Sequence, residues 1–192
     1  MITDNLLIAL YILFLSLGFM ASLYDFIFYK IPNLHIVSIF LLFFIKALFF
    51  SNLHSLITPL VIFILLLLAG FTLYAGKIFG AGDAKFLAVS GLWMSEVDLS
   101  NFLILSGIFA GIISLLYVFS GKFIENLRKR AWSHMIVVNR EKTQWIRFLS
   151  KRLEKPFIPN AVKEQNFRQV PIPFGVPIFF AAFTVILRTL GG

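Results

Sequence analysis

Apolar residues come in long blocks along this chain, and the charges fall between them. A helix crossing the hydrocarbon core of a bilayer needs about 20 apolar residues, with a range of roughly 17–25. Six blocks reach or approach that length: Leu6–Tyr24, Leu34–Phe50, Ser55–Tyr74, Lys85–Trp93 with its flanks, Asn101–Phe119 and Phe174–Leu187. The pattern predicts an all-α polytopic membrane protein with about six transmembrane helices. The fourth block is the shortest and needs 81–95 to reach across, which sets Asp83 at or just inside its entrance. A re-entrant helix is the alternative there, and it would change the topology of everything downstream.

Composition agrees with the pattern. The chain has 192 residues, of which 59% are hydrophobic and 14% charged, and its mean hydropathy is +0.92. An ordinary soluble domain is roughly half apolar and about a quarter charged. One membrane-embedded domain, residues 1–192, is expected, with no separate soluble domain beyond one loop at 122–170. The first residues, Met1-Ile2-Thr3-Asp4-Asn5, lack the basic start and small-residue cleavage site of a signal peptide, so the first block is read as a permanent span.

Charge then orients the spans. Lys30 lies between blocks one and two, and Lys77 and Lys85 between three and four. Between five and six, Lys122 to Arg168 carries twelve Lys/Arg against four Glu, an excess equal to the net +8 of the whole chain. The intervening loops, Ser51-Asn52-Leu53-His54 and Ser95 to Ser100, hold no Lys or Arg, although Lys46 is near the first. By the positive-inside rule the basic loops are cytoplasmic and both termini lie outside, as in a multi-pass protein of the inner membrane. The pI of about 9.9 therefore points to anionic lipid heads and not to nucleic acid. Within the long loop, Ile146, Leu149 and Leu153 share one helical face and Arg147, Lys151, Arg152 and Lys155 fall largely elsewhere, ending at Pro156 and Pro159. That fits a helix lying in the headgroup plane; a solvated basic tether fits equally. Gly107 and Gly111 in block five have the small-xxx-small spacing that lets membrane helices approach closely.

Candidate chemistry is narrow. With no cysteine, the chain has no disulfide, no Cys-based zinc site and no thiol nucleophile. His35, His54 and His134 form no ligand-spaced pair, so neither a metal nor a cofactor is expected. These histidines and Tyr24, Tyr29 and Tyr74 read as interfacial or packing residues. Two acids stand out at the edges of uncharged runs: Asp25, followed by Lys30-Ile31-Pro32-Asn33, and Asp83 within Gly80-Ala81-Gly82-Asp83-Ala84-Lys85. An ionisable residue next to hydrocarbon is a functional-site hypothesis by default. In the six-span layout both acids lie at the cytoplasmic end, one closing span one and the other opening span four. Two carboxylates sharing a site do not both ionise readily, so one holds a proton while the other is charged. Such a pair supplies a general base for water and a general acid for a peptide carbonyl. Gly80 and Gly82 would give the backbone conformations closed to other residues and let it approach a bound chain. Pro32 would stop the helix after Asp25, and Ile31 before it is biased to extended geometry that could offer a strand edge to a peptide. Taken singly, each acid has a bland reading: a helix cap for Asp83, or an ion pair with Lys30 or Lys85 for Asp25.

These residues carry a resemblance. Gly80-Ala81-Gly82-Asp83 resembles the Gly-x-Gly-Asp motif of intramembrane aspartyl proteases, and Lys85 after it resembles the prepilin peptidase branch. Asp25 with Lys30-Ile31-Pro32-Asn33 is similar to that family's first aspartate motif, and Ile172-Pro173-Phe174-Gly175-Val176-Pro177 to its proline–glycine segment before the last span. The resemblance implies an enzyme that removes the short basic leader from type IV prepilins or pseudopilins at the cytoplasmic membrane face. Asp25 and Asp83 would be its catalytic pair, and Gly80, Gly82, Lys85, Lys30, Pro32, Asn33, Pro173 and Gly175 supporting or substrate-contacting positions. Bifunctional members carry a Cys-rich zinc segment between the first spans and also N-methylate the product. Here about ten residues separate those spans, as in the small members that serve tight-adherence pili. The long basic loop exceeds what that small group leads one to expect; lipid or the pilus and secretion machinery are its candidate partners. A proton- or cation-coupled transporter is the competing reading, but the sequence shows no inverted repeat, and the two acids that stand out, Asp25 and Asp83, are both at one face, where a relay would want groups spread across the depth. A non-catalytic scaffold working through the basic loop is the third.

Overall fold

The structure, a computed structural model, describes residues 2–50, 56–141 and 172–191, and the possible headgroup helix at 144–155 and His54 lie outside these. Every element among the described residues is an α-helix: α1 Ile2–Phe28, α2 Asn33–Phe50, α3 Ile57–Ala75, α4 Ala81–Gly91, α5 Glu96–Glu141 and α6 Gly175–Gly191. The chain forms two compact units. Met1–Leu116 with Pro173–Gly192 makes the first, and Tyr117–Ile172 the second.

The helices follow the apolar blocks, with instructive differences at their ends. Four are long and apolar enough to cross a membrane: Asn5–Phe28, Asn33–Phe50, Ile57–Ala75 and Glu96–Gly121. Helix α1 therefore runs past Asp25. It ends where Tyr29 adopts a left-handed φ of 51°, three residues before Pro32. Helix α5 continues well beyond the expected span, so that 122–141 of the expected loop 122–170 is helical, with non-helical backbone at Ser120 (φ −125°, ψ 21°).

Helix α4 is the main departure. It has 11 residues, about 16 Å at 1.5 Å per residue, or roughly half a hydrocarbon core. Its backbone leaves the helix at Leu92, not at Ser95. A helix this short is stable because its neighbours sheathe it: Asp83, Ala84 and Phe86 through Gly91 are all buried. Packing rather than length or amphipathicity supports it.

Helices α3 and α4 run antiparallel in close contact. A methyl at Gly70 would come within 2.7 Å of Ala84 Cβ and 2.9 Å of its Cα, and a methyl at Gly91 would collide with Leu66. Small residues at these points let two backbones approach as membrane helices require. The spacing noticed in the sequence, Gly107 and Gly111, makes no such contact: added methyls there meet nothing within 4 Å. They lie beside exposed Ile104, Ile108 and Ile112. Gly70→Ala is thus expected to destabilise the bundle by about 1–3 kcal/mol, the usual cost of overpacking against unyielding atoms. A lowered thermal midpoint in detergent, with Gly107→Ala unchanged, is the check.

Helix α1 packs on α2 and α6, and α4 touches α2 and α6. Between them the core is aromatic. Phe14 stacks on Trp93 at 4.6 Å, Tyr11 meets the same indole edge-on at 5.7 Å, and Lys46 donates to the Tyr11 hydroxyl at 3.1 Å. The Lys46 ammonium also lies over both rings, 4.7 Å from Tyr11 and 5.3 Å from Trp93, which accounts for a lysine late in an apolar helix. One layer on, Gly18 of α1 makes room for Phe179 of α6 and Phe86 of α4. The next layer holds the two acids.

Candidate active site

Asp25 lies in the last turn of α1 and Asp83 in the first turn of α4, so the chain brings them to one end of the bundle. Both are buried, at 3% and 7% exposure, where an unpaired polar group is costly. Each has one glycine N–H in hand. The Gly80 amide donates to Asp83 Oδ2 at 3.0 Å. Gly80 is the N-cap of α4 and Asp83 its third residue, so the acid reaches back to the cap as in half of a capping box. The Gly175 amide donates to Asp25 Oδ2 at 2.7 Å across 150 residues of sequence. Gly175 opens α6, so the positive end of that helix faces Asp25.

The glycines here serve close approach, not unusual backbone. No described glycine has a positive φ, and Gly80 sits at an ordinary extended φ of −79° and ψ of 151°. The expectation of special backbone conformations at Gly80 and Gly82 is corrected accordingly. What excludes a side chain at Gly175 is space: a methyl would lie 2.9 Å from Asp25 Oδ2, 3.0 Å from Asp25 Cβ and 3.1 Å from Ile31 Cδ1. At Gly80 it would lie 2.8 Å from Asp83 Oδ2. Gly82 is within the helix and fits against Ile31, whose Cβ would be 3.4 Å from an added methyl.

The remaining sequence candidates surround this pair. Lys85 Nζ donates to Asn33 Oδ1 at 3.4 Å, tying α4 to the start of α2. Lys30 is exposed, Pro32 half-buried and Pro173 buried. The Pro173 carbonyl accepts from Val176 N at 3.3 Å, closing the first turn that presents Gly175. Phe174 meets Phe79 at 4.7 Å between ring centroids, joining the segments that lead into α6 and α4. The sequence gives no sign of the burial of Ile31 or of this aromatic pair. The signal for Ile31 was its place between Lys30 and Pro32, but nothing in the sequence aims it inward. The N-cap position open to Asp83 in the sequence belongs to Gly80 instead.

The fold and site together define a class: a multi-helix membrane protein with two buried aspartates, from separate sequence motifs, gathered at one end of its bundle. The model of the type IV leader peptidase family matches residues 12–115. The matched stretch contains both aspartates and more than half of the chain, and the chain belongs to that family. Membership makes it a peptidase, its apolar helices mark it as a membrane protein, and the family implies prepilin-like substrates. The match ends before Pro173 and Gly175, whose link to Asp25 only the three-dimensional arrangement displays. No curated protein and no solved structure matches the chain significantly.

Proposed function

We propose that the chain is an aspartic endopeptidase that removes the basic leader from a type IV prepilin or pseudopilin, with Asp25 and Asp83 activating water. The observation that carries this reading is the pair itself: two buried acids at one end of the bundle, each oriented by a glycine amide, in a chain of the leader peptidase family.

The chemistry needs only the two carboxylates and water. The charged member takes a proton from water as the oxygen attacks the scissile carbonyl carbon. The protonated member donates to the carbonyl oxygen, giving a neutral gem-diol. Collapse breaks the C–N bond as a proton passes to the departing nitrogen and the diol proton returns to a carboxylate. The pair acts as one unit, so the roles belong to it jointly. Gly80, Gly82, Gly175 and Pro173 hold the aspartates' surroundings, and Lys85 with Asn33, Lys30 and Pro32 form the adjacent surface that a leader would approach.

In this reading residues 1–192 form a single peptidase domain in the inner membrane. Six segments lie in the bilayer, with both termini outside and the aspartates at the cytoplasmic face. Helix α4 enters from that side and is completed by the turn after it. The basic stretch 122–170 attracts anionic headgroups and is available to the pilus or secretion machinery.

The test is co-expression in membranes with a pilin-like precursor from the same genome, followed by gel shift and N-terminal sequencing of the product. A new N-terminus at the junction of the basic leader and the apolar helix supports the proposal. An intact precursor beside correctly inserted protein, for each such precursor of the genome, would exclude it and return the transporter and scaffold readings.

A further inference from the structure

The connection between α1 and α2 holds one side chain out of keeping with its setting. Lys30 and Asn33 are exposed, yet Ile31 between them is only 4% exposed. Its backbone N and Cβ lie 3.5 Å and 3.4 Å from where a methyl on Gly82 would stand, and its Cδ1 lies 3.1 Å from the equivalent point on Gly175. Gly82 directly precedes Asp83. Gly175 donates its amide to Asp25. A single aliphatic side chain thus touches the glycine beside one acid and the glycine that orients the other.

Local chemistry makes this residue rigid. Tyr29 takes a left-handed turn (φ 51°), an uncommon conformation for a bulky residue, and the chain turns back toward the site. Pro32 restricts the residue before it to extended geometry. Ile is β-branched and stiff about χ1. Backbone and side chain are both held, which suits a group that must keep a fixed gap.

We propose that Ile31 is a positioning residue: a stiff apolar spacer that sets how Asp25 and Asp83 face each other. It touches the glycine of each acid, fills the space between the start of α4 and the start of α6, and keeps bulk water from the pair. It takes no part in proton transfer. This inference rests on the two-aspartate reading given above.

The experiment uses the full-length protein in nanodiscs with a purified pilin-like precursor, and compares wild type, Ile31→Ala, Ile31→Val and Asp25→Asn. Thermal midpoints and circular dichroism fix the folded fraction. Per folded molecule, Ile31→Ala is expected to lower kcat about tenfold or more with KM within about twofold, since small misplacements of reacting groups cost up to about a hundredfold. Ile31→Val, which keeps the branched stem, is expected to recover most of that loss. An Ile31→Ala protein with wild-type kcat per folded molecule would overturn the inference. So would a raised KM at unchanged kcat, which would make Ile31 a substrate-binding wall. Activity surviving in Asp25→Asn would sink the underlying reading instead, which keeps the two failures apart.

Discussion

Asp25→Asn and Asp83→Asn are each expected to lower precursor cleavage by about a hundredfold to ten-thousandfold, the range that a positioned acid or base contributes. Each tenfold corresponds to about 1.4 kcal/mol of barrier, so the loss is several kcal/mol from one atom exchanged. Asparagine keeps the shape of aspartate and one carbonyl-type oxygen. The Gly175 amide at position 25 and the Gly80 amide at position 83 therefore still find an acceptor. The variants should insert and fold, and the effect should be chemical. In the proposed mechanism the carboxylates work as a unit, so the double variant should be no worse than the poorer single one. Gel shift of a co-expressed precursor reads the cleavage, and membrane fractionation the insertion. A single variant keeping more than about a tenth of wild-type activity would remove that acid from the mechanism.

The second large effect is expected at a residue with no functional group. Gly175→Ala should cut activity by up to about a hundredfold, because a displacement on the order of 1 Å of a reacting group suffices for that. The added methyl would stand 2.9 Å from Asp25 Oδ2 and 3.0 Å from its Cβ, and Asp25 has little room to yield at 3% exposure. Backbone strain is not the cause, since no described glycine has a positive φ. The matched controls are Gly107→Ala and Gly111→Ala, whose methyls meet nothing within 4 Å; both should cleave like wild type. Initial rates normalised to inserted protein are the measurement. Wild-type activity in Gly175→Ala would mean that the amide-to-Asp25 contact does not hold the acid during turnover.

What was legible in the chain and what was not divides along physical lines. Membrane helices declare themselves locally, because hydrocarbon demands a continuous apolar stretch; α2 and α3 fall within two residues of the blocks that predicted them. The acids were legible for a related reason: charge next to such a stretch needs a purpose. Helix ends were less so. The end of α1 is set by Tyr29 turning left-handed, a choice that Pro32 alone does not dictate. The length of α4 is set by burial against its neighbours, which no window of sequence contains. The small-residue spacing at Gly107 and Gly111 was real in sequence and idle in space, while Gly70, Ala84 and Gly91 form the close helix contact.

By itself, then, the sequence determined a helical membrane protein with two candidate acids at the edges of apolar runs, since composition and hydrophobic block length act through the solvent each residue must face. Only the tertiary structure decided that Gly175 reaches Asp25 across 150 residues, that Ile31 lies between the two motifs, and that glycine is needed there for room and not for backbone freedom. Those are distances between segments remote in sequence, fixed by how helices pack.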